Sequence, residues 1–281
     1  MPEDTIEHVQ GALIQHGHHN ERIYLMQLNP DRAETLIALI DDIARERAYG
    51  KILAKIPASV WHSFQSAGYE KEAVVPGFFG GRGDAFFIAK YFSQARKSAR
   101  AEDRALDWFP QPPGKAAERF PQVSHPSPII ESCQPQDAAD MSAVYRRVFR
   151  SYPFPIHQPA FLDRMMKAGH RYFCIRADGG IAALAAAEID LPHRVAEMTD
   201  FATLPGWRGR GFAAGLLKHM HGQVRKAGVR TTYTIARAAS RGMNSVFSNC
   251  GYRYAGLLKN NSQICGSIQS MTVWYQRLWF P

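Results

Sequence analysis

Residues 205–211, PGWRGRG, bring Gly206, Gly209, Gly211, Arg208 and Arg210 to the entrance of an apolar-periodic helix. A helix N-terminus presents unpaired N–H groups and partial positive charge, and so binds phosphate. Glycine lets the backbone approach a phosphate closely and take turns that a side chain forbids. Ala213, Leu216, Leu217, Met220, Val224 and Ala227 then recur at helical spacing. The stretch reads as a strand-to-helix turn for a diphosphate; the plain alternative is a tight turn that holds nothing. A triphosphate loop would need G-x-x-x-x-G-K-[ST], which is absent. The dinucleotide pattern G-x-G-x-x-G is met at two of its three glycines, with Gly209 and Gly211 in place but Ala214 at the third position. The turn also follows a run of strands, late in its domain, where a dinucleotide fold would have it early.

Other clusters carry less. HGHHN, residues 16–20, places consecutive histidines on a loop without a supporting acid or cysteine pattern, so no metal site is expected. Cys133, Cys174, Cys250 and Cys265 are scattered and read as reduced thiols of a cytoplasmic protein. The net charge of +9 suits an anionic partner. Nucleic acid, an acidic membrane surface and a phosphate-bearing cofactor stay open on charge alone, as does a merely solvated basic face. The longest apolar stretches are too short to span a bilayer, and MPEDTIEHVQ lacks a secretion signal.

The elements that must hold the turn follow from periodicity. With 281 residues, 46% hydrophobic and 21% charged, the chain can bury one large core or two ordinary ones. RIYLMQL reads as a strand, DRAETLIALIDDIARERAYG as a helix, KILAKI as a strand and ASVWHSFQSAG as a helix. YEKEAVV and AFFIAKYF are strands joined by GGRGD. Residues 1–93 form an N-terminal domain on this reading. Residues 94–127, charged and proline-rich, form a linker, and residues 128–281 a second domain. That domain runs strand, two helices, three antiparallel strands, the turn and its helix, strand, helix and two strands. Val229, Thr231, Tyr233 and Ile235 are expected on one strand face. The class is mixed α/β. SFQSAGYEKEA and VFSNCGYRYAG share F-x-x-x-G-Y after a helix, which suggests that the N-terminal domain repeats part of the second. Its loop, LNPDRAE, has no counterpart of RGRGFA.

Arg208, Gly211 and Ala213 spell R-x-x-G-x-A, and with this order of elements the second domain resembles the GNAT superfamily of acyl-CoA-dependent N-acetyltransferases. YPFPI, AEMTDFATLP, IARAAS, GMN, GYRYAG and SMTVWY, with LIQHG, RIYLMQL and AKIP, are together similar to the bacterial and archaeal β-lysine N-acetyltransferases over nearly the whole chain. The resemblance implies a GNAT fold preceded by a smaller, degenerate GNAT-like domain, and acetyl-CoA as co-substrate without a metal. It implies a small-molecule amine acceptor, β-lysine acetylated at its terminal amine to a compatible solute, and a functional link to a lysine 2,3-aminomutase. It predicts no nucleic-acid or membrane partner and leaves a homodimer open. The alternatives are a protein or peptide amine as acceptor, or a non-catalytic CoA-binding regulator.

The resemblance also assigns residues. An alkyl amine with a pKa of about 10.4 is neutral in only about one molecule in 2,500 at pH 7, so the site needs a base. Glu197 is the expected base and Asp200 the runner-up, with Glu188 on the substrate's ammonium side. The cofactor would be held by Phe201, Ala202 and Thr203 along the strand, by Arg208, Gly209, Arg210, Gly211, Phe212, Ala213 and Ala214 at the turn, and by Asn244 and Phe247. Tyr152, Phe154, Asn260 and Asn261 are candidates for the acceptor rim. Many relatives protonate the leaving thiolate with a tyrosine where this chain has Phe247, which cannot donate. Tyr254 and Tyr275 are the hydroxyls considered in its place.

Overall fold

The computed structural model describes residues 4–98 and 128–278. The N-terminal half runs β1 (Thr5–Val9), β2 (Ala12–Gly17), β3 (Arg22–Gln27), α1 (Ala33–Glu46), β4 (Lys51–Pro57), α2 (Trp61–Ser66), β5 (Glu70–Phe79), β6 (Gly83–Tyr91) and the single turn α3 (Gln94–Lys97). The C-terminal half runs β7 (Ile130–Ser132), α4 (Ala138–Val148), α5 (Pro159–Lys167), β8 (Arg171–Ala177), β9 (Gly180–Asp190), β10 (Val195–Thr203), α6 (Phe212–Lys226), β11 (Thr231–Arg237), α7 (Arg241–Asn249), β12 (Arg253–Ile264) and β13 (Ser267–Arg277).

All strands join one 13-stranded sheet in the order β1-β2-β3-β4-β6-β5-β12-β13-β11-β10-β9-β8-β7. From β1 to β6 and from β8 to β13 the two halves pass through the same succession: three antiparallel strands, a helix, a parallel strand, a helix and a hairpin. The strand neighbours correspond as well. The halves meet edge to edge where β5 pairs with β12 at Ala73 and Gly256. A Cβ on Gly256 would fall 2.1 Å from the Glu72 carbonyl oxygen, so only glycine allows that approach.

Three cores follow from the patterning. On one face of the N-terminal half, α1 buries Leu36, Ile37, Ile40 and Ala44 against Ile23, Leu25, Ile52 and Ile56. In the C-terminal half, α6 and α7 cover Ala183, Ala185, Ala187 and Met198 with Leu216, Leu217, Met220 and Phe247. The opposite faces of both halves share a third core, where Tyr24, Leu53, Val75 and Phe87 join Tyr145 and Leu162 of α4 and α5, Tyr233 and Leu258. The sheet therefore wraps its two halves around a common interior. Strand β9 is alanine-rich because helices pack on both of its faces.

Polar groups staple the halves. Lys51 Nζ, fully buried, lies 2.7 Å from Glu72 Oε2 and donates to the Lys259 carbonyl at 2.8 Å. Glu72 Oε1 accepts from the Lys259 N–H at 2.8 Å. Thr231 Oγ1 donates to the Gly77 carbonyl at 2.7 Å.

Three sequence expectations change. The hairpin β1–β2 was not anticipated: β1 is exposed along most of its length and has no apolar alternation. His16 belongs to β2, not to a loop, with Nε2 2.7 Å from Glu7 Oε1. Val229 precedes β11 and packs under α6 and α7, whereas Tyr233 and Ile235 face the shared core. The proline-rich segment read as a linker lies outside the described residues from residue 99 on, while its first residues form α3. No helix among the described residues is long and apolar enough to cross a membrane.

Candidate active site

Strands β10 and β11 run parallel through only three register pairs, Val195–Thr231, Ala196–Thr232 and Glu197–Tyr233. Beyond them the strands separate. Thr199, Asp200, Phe201 and Thr203 on the β10 edge and Thr234 to Arg237 on the β11 edge line a cavity of about 1900 Å³. Backbone N–H and C=O groups on such an open edge can pair with an extended amide chain, as an added strand would.

A β-bulge shapes the β10 lip. Its register against β9 shifts between Thr199 and Ala202, and Asp200 sits at φ +56°. Period-two alternation would send Glu197 and Asp200 to opposite faces. The extra residue of the bulge returns Asp200 to the Glu197 side. Both carboxylates line the cavity, while the Phe201 ring turns to the α6 side, 5.6 Å from the Phe247 ring. Ala202 is buried in the shared core.

At the mouth, Gly209 (φ +78°) and Gly211 (φ +76°) adopt the left-handed conformation, and Gly211 is the N-cap of α6. Among the described residues no side chain caps this helix, and a Cβ added at either glycine would meet nothing within 4 Å. The first turn thus faces open space with its N–H groups unclaimed, the geometry that receives phosphate. Trp207, Arg208, Gly209, Gly211, Phe212, Ala213 and Ala214 line this end of the cavity. Arg208 Nε donates to the Thr203 carbonyl at 3.2 Å, tying the turn to β10. The Arg210 guanidinium lies 4.4 Å above the Trp207 ring instead of lining the cavity.

On the same wall, Glu188 of β9 stands directly opposite Glu197 of β10, with His170 Nδ1 3.9 Å from Glu188 Oε1. Burial and the neighbouring charges of Glu197 and Asp200 push the Glu188 carboxyl well above its ordinary range. Burial also raises Glu197, but a hydrogen bond from the Tyr233 hydroxyl and the nearby Lys55 ammonium pull it back. Of these two adjacent, half-buried carboxyls Glu188 is raised the further, which favours Glu197 as the one that ionises first. Asp200 is pushed up to about 6 by burial; Tyr152 and Thr199 hydroxyls donate to it at 2.6 and 3.3 Å and favour its charged form.

The N-terminal half supplies residues that the sequence reading missed. Arg22, Tyr24 and Met26 alternate along β3, and Leu53, Lys55 and Pro57 along β4, all onto the cavity wall. Lys55 lies 5.4 Å from the Phe78 ring and 5.7 Å from the Tyr233 ring, and burial lowers its pKa. The usable signal was a cation on the inward period of two otherwise apolar strands.

Several predicted site residues have other work. Asn244 is fully buried; its amide donates to the Arg237, Ala238 and Ser240 carbonyls, and its oxygen accepts from Thr272 and Trp274. It locks α7 to the sheet and has no capacity left for a cofactor. Asn260 donates to the carbonyls of Ala95, Arg96 and Ser98, so it anchors α3 and is no part of the acceptor rim. Asn261, Tyr152 and Phe154 do line the cavity. Phe247 is buried and lines the cavity. Neither Tyr254, which packs edge-on to Trp274, nor Tyr275 is on the cavity wall; the tyrosines there are Tyr24, Tyr152, Tyr172 and Tyr233.

The profile of the acetyltransferase (GNAT) family matches residues 139–252, the stretch that carries the splayed strands, the acids and the glycine turn. The β-lysine N6-acetyltransferase of Methanococcus maripaludis is 32% identical over 280 residues, covering 97% of this chain and 98% of that protein. The enzyme of the same name from Methanosarcina mazei is 26% identical over 88% of this chain and 98% of its own length. The ribosomal protein bS18-alanine N-acetyltransferase of Escherichia coli is 25% identical over 44% of this chain and 82% of its own. The chain belongs to the GNAT acetyltransferase family and is an acetyl-CoA-dependent N-acetyltransferase.

Proposed function

We propose that the chain acetylates the terminal amine of β-lysine, giving Nε-acetyl-β-lysine, a compatible solute, in the cytoplasm. A lysine 2,3-aminomutase would supply the β-amino acid. One observation carries the reading: Glu188, Glu197 and Asp200 share one cavity wall, which suits a small, doubly aminated cation as the acceptor. The relatives named for β-lysine span both halves of the chain, whereas the protein-alanine acetyltransferase covers 44% of it, and this supports a small acceptor enclosed by both halves.

The N–H groups at the start of α6 would hold the pyrophosphate of acetyl-CoA, and the β10 edge from Phe201 to Thr203 its pantetheine arm. Acetyl-CoA brings the acyl group already activated as a thioester. Glu197 accepts the proton of the acceptor ammonium, a step that otherwise costs about 4.6 kcal/mol at pH 7. The freed nitrogen lone pair forms the new C–N bond, the C–S bond breaks with its electron pair going to sulfur, and the second proton that the acylated nitrogen sheds goes to the departing thiolate or to water. The Phe201 N–H on the bulge donates to the carbonyl oxygen as it gains charge. A thiol pKa of about 8.5 lets part of the thiolate depart unprotonated despite Phe247.

Release of free CoA thiol, followed with β-lysine, α-lysine and a lysine-rich peptide in parallel, tests this. Turnover confined to β-lysine and lost in Glu197→Gln is expected. Turnover of the peptide would move the function to protein acetylation.

A further inference from the structure

The shared cavity holds a buried cation with no carboxylate against it. Arg22 of β3 is only 2% exposed, yet it forms no ion pair among the described residues. Asp4 and Glu72 act on it from a distance, and Arg96 repels it. Lys55, the other cation that the N-terminal half presents to the cavity, already faces Glu188, Glu197 and Asp190. A buried charge without a counter-charge is costly, and a protein keeps one where a ligand completes it.

The hydrogen bonds show which side of the guanidinium is reserved. Nη1 donates to the Asn261 carbonyl at 2.7 Å and to Ser262 Oγ at 3.0 Å, so one corner is fixed by neutral oxygens. Nη2 has only a 3.5 Å contact with Gln15 Oε1, and Nε is buried without a partner. Nε and Nη2 form the lateral edge of the guanidinium, two parallel N–H donors at the spacing of a carboxylate's two oxygens. Gln15 is itself held by the Pro153 carbonyl at 2.7 Å, and the Tyr24 ring lies 5.3 Å from the guanidinium carbon.

We propose that the lateral edge of Arg22 binds the carboxylate of the acceptor, making the N-terminal half the part of the enzyme that selects an amino acid over a simple diamine. This rests on the small-acceptor reading of the cavity and extends it. The acids of β9 and β10 hold the amino end of the acceptor, and β3 holds its acid end. The N-terminal half has no glycine turn for a cofactor because its role is to close the acceptor site.

The test compares β-lysine with its primary amide, and α-lysine with its amide, on wild type, Arg22→Gln and Arg22→Lys. Wild type should favour the acid over the amide by roughly 30-fold or more in kcat/KM, the usual loss when one partner of a buried charged pair is removed. Arg22→Gln should erase that preference by raising KM for the acid, leaving KM for acetyl-CoA unchanged. Arg22→Lys, with charge but no fork, should recover part of it. The acid-amide comparison on wild type needs no variant to fold. Equal use of acid and amide by wild type, or a preference that survives in Arg22→Gln, would overturn the proposal. If α-lysine is used and β-lysine is not, with the same dependence on Arg22, the anchor stands and the β-lysine reading falls. Turnover of carboxylate-free amines alone would sink both.

Discussion

Glu188 and Glu197 are direct cross-strand partners on β9 and β10, two carboxylates side by side on the wall of the reaction cavity. Like charges in that position destabilise a sheet unless one is discharged. Asp200 raises both and Lys55 lowers both, but Glu197 also raises Glu188 while the Tyr233 hydroxyl lowers Glu197, so Glu197 is the more readily ionised. Glutamine mimics a protonated carboxyl, so Glu188→Gln should keep kcat within a few-fold of wild type. Glu197→Gln should lose about 10²- to 10⁴-fold, the usual share of a general base. Steady-state kinetics on the two variants would decide it, and the reverse order of losses would exchange the roles.

The pH profile follows from the same pair. Burial raises Glu197, so kcat/KM should fall on the acid side at a pH above the ordinary glutamate value. The Tyr233 hydroxyl stabilises the charged form. Tyr233→Phe removes that hydrogen bond, raises the base further and should move the acid limb to higher pH. A limb that stays in place or moves down in Tyr233→Phe would show that Glu197 is not the group being titrated.

Much of this was readable in the chain because local rules and tertiary structure agree there. The helices α1 and α6, the glycine turn and the order of C-terminal elements all carry their own periodicity or conformational demand. The bulge at Asp200 was not readable: nothing in AEMTDFAT marks which residue leaves the alternation, and only pairing with β9 shows it. Asn244 and Asn260 were misassigned because a buried amide that satisfies carbonyls looks, in sequence, like one that waits for a ligand. Arg22 and Lys55 were not readable as site residues, because the approach of β3 and β4 to the cavity is a long-range fact that no local pattern marks.

Asp200 gives a stability prediction with a definite sign. Its folded pKa of about 6 lies above the unfolded value, so between about pH 4 and 6 the folded state holds a proton that the unfolded state has lost. Stability therefore falls as pH rises through this window, and above it the full penalty, about 3 kcal/mol, is present. Asparagine tolerates the left-handed conformation and can still accept from Tyr152 and Thr199. Asp200→Asn should raise the urea midpoint at pH 8 and have little effect at pH 4. An equal gain at both values would mean that the carboxylate is not the source.

The turn separates conformational demand from mere presence of glycine. Gly211 stands at φ +76°, and Gly206 has no left-handed φ; a Cβ meets nothing within 4 Å at either. Gly206→Ala should leave stability and kinetics near wild type. Gly211→Ala carries about 1–2 kcal/mol of left-handed strain and intrudes where the pyrophosphate would sit. Its KM for acetyl-CoA should rise at least about tenfold, with KM for the acceptor little changed. Equal effects of the two substitutions would remove the turn from the cofactor site.

The staple between the halves should matter for the acceptor site as well as for folding. Lys51 and Glu72 are an almost fully buried pair, and the Tyr91 hydroxyl and Lys259 N–H also donate to Glu72. Lys51→Met would leave the Glu72 carboxylate buried without its cation, a loss of about 3–5 kcal/mol. A Lys51→Met, Glu72→Gln double variant removes the stranded charge and should recover a substantial part of that loss. The same pair fixes Lys259, two residues before the Asn261 carbonyl that holds Arg22. If β3 does contribute to acceptor binding, Lys51→Met should raise KM for the acceptor more than KM for acetyl-CoA at temperatures where it remains folded. Equal rises in both constants would mean that the staple only holds the sheet together.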